Sequence, residues 1–130
     1  IVKELFHTIY FAKEGAIVFH CRVGKDRTGV LAMLLLGLAG VSKKDIVSNY
    51  EVSFTNLESL HPAVDKFDHL PSDYFLSRRE NILQAYHYVI DKYGTFENYL
   101  KQIGINEEMI LGVKARLIEN YQSAPHGVTK

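Results

Sequence analysis

The sequence predicts an α/β domain, mostly helical in this chain, with one core strand leading into a glycine-bearing loop. Three observations predict it. A short β-branched and aromatic run, Ala16-Ile17-Val18-Phe19-His20, follows Gly15 and ends in a loop containing Gly24 and Gly29. The apolar segments after that loop repeat at helical spacing, not in strand alternation. The length of 130 residues, with 47% apolar and 23% charged, suits one compact domain with a real core and not a disordered polar tract.

The elements follow in order. Residues 3–14 place Leu5, Phe6, Ile9, Tyr10 and Ala12 near helical spacing, and Gly15 is expected to end that helix in a left-handed cap. Residues 16–20 read as a buried strand. The stretch from Thr28 to Ala39 is nearly all apolar and reads as a helix closed by Gly40; the longest apolar run, Val30 to Val41, is too short to span a bilayer and reads as buried. Ser42 and Asp45 resemble a capping box opening a helix over 43–53. Thr55 with Glu58 opens a further short turn, and Pro62 and Pro71 mark a looser stretch over 55–72. Ser72 is expected to start the longest helix, over 73–92, with Ile82, Leu83, Tyr86, Val89, Ile90 and Tyr93 on one face and Gly94 as its stop. Thr95 caps a short helix ending at Gly104. Asn106 caps a last one over 107–119, with Met109, Ile110, Val113, Leu117 and Ile118 facing inward. Residues 121–130 read as a flexible tail behind a unit spanning 1–120.

A lone strand leaves backbone groups unpaired on both edges. The chain therefore reads as the C-terminal part of a larger α/β domain, its strand pairing with upstream segments or, by strand exchange, with a second copy.

Charge and cysteine content exclude several functions. Fifteen basic side chains balance fifteen acidic ones. Nucleic-acid or anionic-membrane binding needs a positive excess, so neither partner is expected. No transmembrane segment is expected. The single cysteine, Cys21, forbids an internal disulfide. The opening Ile1-Val2-Lys3-Glu4 has neither the basic start nor the apolar run of a signal peptide, and no initiator Met. A cytoplasmic location is expected, with a secreted bacterial effector as the alternative. The histidines show no metal-ligand spacing, so no metal site is expected.

The run His20-Cys21-Arg22-Val23-Gly24-Lys25-Asp26-Arg27-Thr28-Gly29 holds the chemistry. Cys21 lies between the expected strand and the helix N-terminus. Loop N–H groups and the helix dipole favour an anion there. Such settings lower a thiol pKa from about 8.5 to roughly 3.5–7.5, which makes a nucleophile; in isolation a lone cysteine reads as a small buried apolar residue. The backbone of Arg22, Val23, Gly24, Lys25, Asp26 and Arg27 can curl into a nest around one anion, with Gly24 and Gly29 permitting the tight path. Arg27, six residues after Cys21, can close the ring with a bidentate grip on phosphoryl oxygens, or be a solvated arginine. Thr28 can donate to the departing thiolate, or make a local helix-start bond. His20 can orient the loop, or be a satisfied buried histidine. Lys25 adds positive charge for a phosphorylated substrate, or is solvated. Asp26 is a candidate general acid and base, or pairs with Arg22, Lys25 or Arg27 and shapes the loop. The run is not a Walker-type loop: Phe19 stands where the first glycine belongs, and Asp26 follows Lys25.

His-Cys-five residues-Arg-Thr-Gly resembles the signature of the protein tyrosine phosphatase superfamily. Gly24-Lys25-Asp26-Arg27-Thr28-Gly29 is similar to a bacterial and fungal branch of tyrosine/serine and lipid phosphatases, which includes secreted enzymes. Tyr93-Gly94-Thr95, Tyr99-Leu100 and Ile103-Gly104-Ile105 are similar to that branch's C-terminal helical region. The resemblance implies a protein tyrosine phosphatase-like fold and a two-step reaction. In it Cys21 attacks phosphorus, a phosphocysteine forms, and water hydrolyses it. It implies Arg27 as phosphoryl clamp, Asp26 as general acid, and Lys25 as suited to phosphoinositides. Substrates would be phosphotyrosine proteins, with phosphoserine/threonine or phosphoinositide as alternatives, and no metal or organic cofactor is implied. Family members carry further strands and substrate-binding residues upstream of the loop. A non-catalytic phosphate-binding fragment or pseudophosphatase is thus the second reading, and a sulfur-transfer domain a weaker third.

Overall fold

The computed structural model describes residues 1–58 and 76–121. Among these residues the chain forms helices α1 (Val2–Phe11), α2 (Asp26–Leu38), α3 (Lys43–Glu58), α4 (Arg79–Tyr93), α5 (Phe96–Gln102) and α6 (Glu107–Leu117). Helix α2 is the axis. It is apolar nearly all round and packs against α3, α4 and α5 at once. Its Met33 and Leu34 are each 1% exposed. Around them close Ile46, Val47 and Tyr50 of α3, Ile82 and Val89 of α4, and Phe96 and Leu100 of α5.

Helix α1 joins this core through Phe6 and Ile9 and packs along α6. Tyr10 donates to Glu108 Oε1 at 3.1 Å. Arg116 of α6 donates to the carbonyls of Tyr10, Ala12 and Lys13, satisfying the open C-terminal end of α1. Lys114 Nζ meets Glu97 Oε1 at 2.6 Å and ties α6 to α5.

The expected caps form. Ser42 Oγ accepts the Asp45 N–H at 3.2 Å and donates to the Asp45 carboxylate at 2.7 Å. Thr95 Oγ1 accepts from the Asn98 N–H at 3.0 Å, and Asn106 Oδ1 from the Met109 N–H at 2.9 Å.

Other expectations are corrected. Helix α1 stops at Phe11 with Ala12 extended, so Gly15 lies beyond it in the connecting loop. Helix α3 runs on to Glu58, past the expected end at residue 53. Helix α4 begins only at Arg79. Ser72, Pro62, Pro71 and the tail residues 122–130 lie outside the described residues.

The expected buried strand over 16–20 does not form, and the described residues contain no strand. Ile17 and Val18 are 40% and 86% exposed, and only Phe19 packs on the core. The reason is physical: a strand exists only as a paired ladder, and no other described segment is a strand that could pair with this one. Leu117, expected to face inward, is exposed. With Ile9, Ile17, Phe19 and Leu35 it lines an open cavity of about 400 Å³ beside the strandless segment.

Candidate active site

The loop runs from His20 into the first turn of α2. Gly24 sits at φ +77°, a conformation L side chains rarely adopt. That bend turns its N–H onto the Cys21 sulfur at 3.3 Å. Two residues on, the chain enters α2, where the Gly29 N–H donates to the Lys25 carbonyl at 2.7 Å.

Cys21 is partly buried at the base of the loop. Desolvation pushes its thiol up, as burial does for any acid. The Thr28 hydroxyl and the N–H groups of Thr28, Gly24 and Val23 together outweigh that and bring the pKa down to about 6. The Thr28 oxygen is buried and makes no fully formed hydrogen bond; what it acts on is the sulfur. Cys21 is thus substantially thiolate at neutral pH, in a ring of donors that an oxyanion also needs.

A second cluster lies beside the first. Asp26 Oδ1 accepts from Lys25 Nζ at 2.8 Å and from the Tyr50 hydroxyl at 2.9 Å. Lys25 Nζ also donates to the Leu76 carbonyl at 3.1 Å, fixing the segment before α4 against the loop. Lys25 is buried, so its ammonium is turned inward on Asp26 and is not displayed to solvent. The Asp26 carboxylate, by contrast, keeps 64% of its side chain accessible. Beside Leu76, the Ser77 hydroxyl is buried without a hydrogen-bond partner.

The remaining expected residues are spread around the rim. Arg27 is exposed and, with Asp26, borders a groove of about 290 Å³ between α1 and α2 lined by Val2, Leu5 and Val30. Arg22 is exposed and Val23 half-buried. His20 is exposed, not buried, and its Nδ1 lies 3.1 Å from the Cys21 carbonyl. That contact is local, to the backbone of the next residue. The structure thus gathers Val23, Gly24 and Thr28 around the sulfur, and Lys25 with Asp26 next to them.

Tyr50 was invisible to sequence reading. Four residues after Ile46 and three after Val47, it falls on the apolar stripe of α3, and periodicity cannot reveal where a hydroxyl points. Among the described residues no three His, Cys, Asp or Glu side chains gather closely enough to hold a metal ion. Nor is any helix among them long and apolar enough to cross a membrane.

Comparison with known proteins places the chain in a family. The model of the tyrosine phosphatase family matches residues 1–119. A tyrosine-protein phosphatase of Nostoc commune is 40% identical, with 88% of this chain and 43% of that protein covered. A Cupriavidus necator protein provisionally named a tyrosine-protein phosphatase is 56% identical over 34 residues, covering 26% of this chain and 12% of its own length. The chain thus spans less than half the length of the curated relatives it matches.

Proposed function

Because the chain belongs to the tyrosine phosphatase family, we propose that it carries the catalytic loop of a cysteine-dependent phosphatase acting on phosphotyrosine. The observation that carries this reading is the Cys21 thiol at a pKa of about 6 inside a ring of donors. In the first step the Cys21 thiolate attacks phosphorus. The P–O bond to the leaving oxygen breaks as the S–P bond forms, and Asp26 gives that oxygen its proton. The phosphoryl oxygens rest on the loop N–H groups, with Arg27 as clamp. In the second step Asp26 takes a proton from water, water attacks phosphorus, and the S–P bond breaks. Thr28 then donates to the departing thiolate. None of these steps calls for a metal or cofactor.

Phosphoserine/threonine and phosphoinositide esters remain within the same chemistry. The inward-turned Lys25 favours a protein substrate over a polyphosphorylated lipid headgroup, since its charge is committed to Asp26. In the whole protein the segment over 16–20 is read as the core strand of an α/β domain. Its exposed Ile17 and Val18 and the adjoining apolar cavity support a pairing partner, either another segment of the protein or a second copy.

The test is to trap the intermediate. A phosphotyrosyl peptide carrying radiolabelled phosphate is acid-quenched during turnover by the full-length protein. Label on Cys21 is expected, with none in Cys21→Ser. Turnover with no labelled protein at any quench time, in wild type or in an Asp26→Asn variant, would count against the covalent route.

A further inference from the structure

We infer that Tyr50 is a positioning residue of this phosphatase: its hydroxyl and ring hold Asp26 and the first turn of α2 in working geometry. The inference rests on the phosphatase reading above.

The first observation is the hydroxyl. It donates to Asp26 Oδ1 at 2.9 Å, the same oxygen that accepts from Lys25 Nζ at 2.8 Å. Two donors on one oxygen fix the plane of a carboxylate and leave its other oxygen to exchange a proton. A carboxylate on an exposed first turn would otherwise sample several rotamers, and 64% of this side chain is accessible. Burial, and after it the Asp26 carboxylate, push the Tyr50 pKa up to about 12, against a hydrogen bond with Asn81 of α4 that works the other way. Tyr50 therefore stays a neutral donor across the working pH range.

The second observation is the ring. Tyr50 is 4% exposed and lies so close to Gly29 that a Cβ there would meet its Cδ2 at 2.6 Å and its Cε2 at 2.8 Å. Gly29 directly follows Arg27 and Thr28. The same side chain thus touches the backbone that carries the phosphoryl clamp and, through its hydroxyl, the proton donor. Proton donors contribute about 10²–10⁴-fold when well placed, so a loosened Asp26 is expected to cost activity selectively.

The selectivity gives the test. A general acid matters most for a poor leaving group. In the full-length protein, Tyr50→Phe keeps the ring and removes the hydroxyl. It is expected to lower kcat/KM for phenyl phosphate about tenfold and for p-nitrophenyl phosphate about threefold or less, a fraction of the full acid contribution. In an Asp26→Asn background the extra loss on phenyl phosphate should vanish, because Tyr50 acts through Asp26. An equal loss on both substrates, or no change on either, would overturn the inference, as would a selective loss that persists with Asp26→Asn. Cys21→Ser run alongside separates the two levels. If it stays fully active, the phosphatase reading falls and takes this inference with it. If it is inactive while Tyr50→Phe is unselective, only the role of Tyr50 falls.

Discussion

The Gly24 N–H lies 3.3 Å from the Cys21 sulfur, held there by a backbone turn at φ +77°. An amide donor at that range stabilises the thiolate over the thiol, and Thr28 and Val23 add to it.

The first prediction concerns the charge on Cys21. Its pKa is lowered to about 6, so the thiolate fraction rises as pH climbs through 6 and is nearly complete at neutral pH. The rate of alkylation by iodoacetamide should follow that rise with a midpoint near 6. Thr28→Ala removes a donor and should move the midpoint upward. A midpoint at the ordinary thiol value of about 8.5 would sink the assignment.

The second prediction follows from oxidation chemistry. Cys21 is the one cysteine of these 130 residues, so a sulfenic acid formed there has no resolving thiol within this chain. Peroxide should inactivate the protein at neutral pH and an external thiol should restore it. Insensitivity to peroxide would be inconsistent with an accessible thiolate.

The third prediction concerns Gly29. Its missing Cβ is the space the Tyr50 ring occupies, and that ring is anchored by its hydroxyl. Gly29→Ala should destabilise the fold by about 1–3 kcal/mol, the range for overpacking a filled site. Urea unfolding reads this directly. An unchanged midpoint would mean that Tyr50 yields freely.

The fourth prediction separates two roles for Lys25. The ammonium is buried on Asp26 and the Leu76 carbonyl. Lys25→Met should therefore reduce turnover of p-nitrophenyl phosphate and of a phosphoinositide by similar factors. A loss confined to the phosphoinositide would show instead that the charge is presented to substrate.

Much of this architecture was legible in the residues. Ser42, Thr95 and Asn106 marked helix starts because a cap is local chemistry, readable from a side-chain oxygen and the residue three positions on. The central burial of α2 was legible because few polar side chains interrupt it. The strand expected over 16–20 is absent among the described residues because β-branched composition states a preference that only a neighbouring strand can fulfil. Leu117 misled: helical spacing gave it a face, but the partner for that face is not among the described residues. At the site, spacing marked the loop and Cys21. It could not show that Lys25 turns inward, nor that Tyr50, twenty-four residues after Asp26, reaches back to it. Those contacts depend on how α3 lies across α2.

The central claim is that Cys21 is the nucleophile of a phosphatase. Hydrolysis of p-nitrophenyl phosphate by the full-length protein and its Cys21→Ser variant tests it most directly. Robust turnover by the wild type, with a loss of several orders of magnitude in the variant, is the predicted result; comparable turnover by both would contradict it.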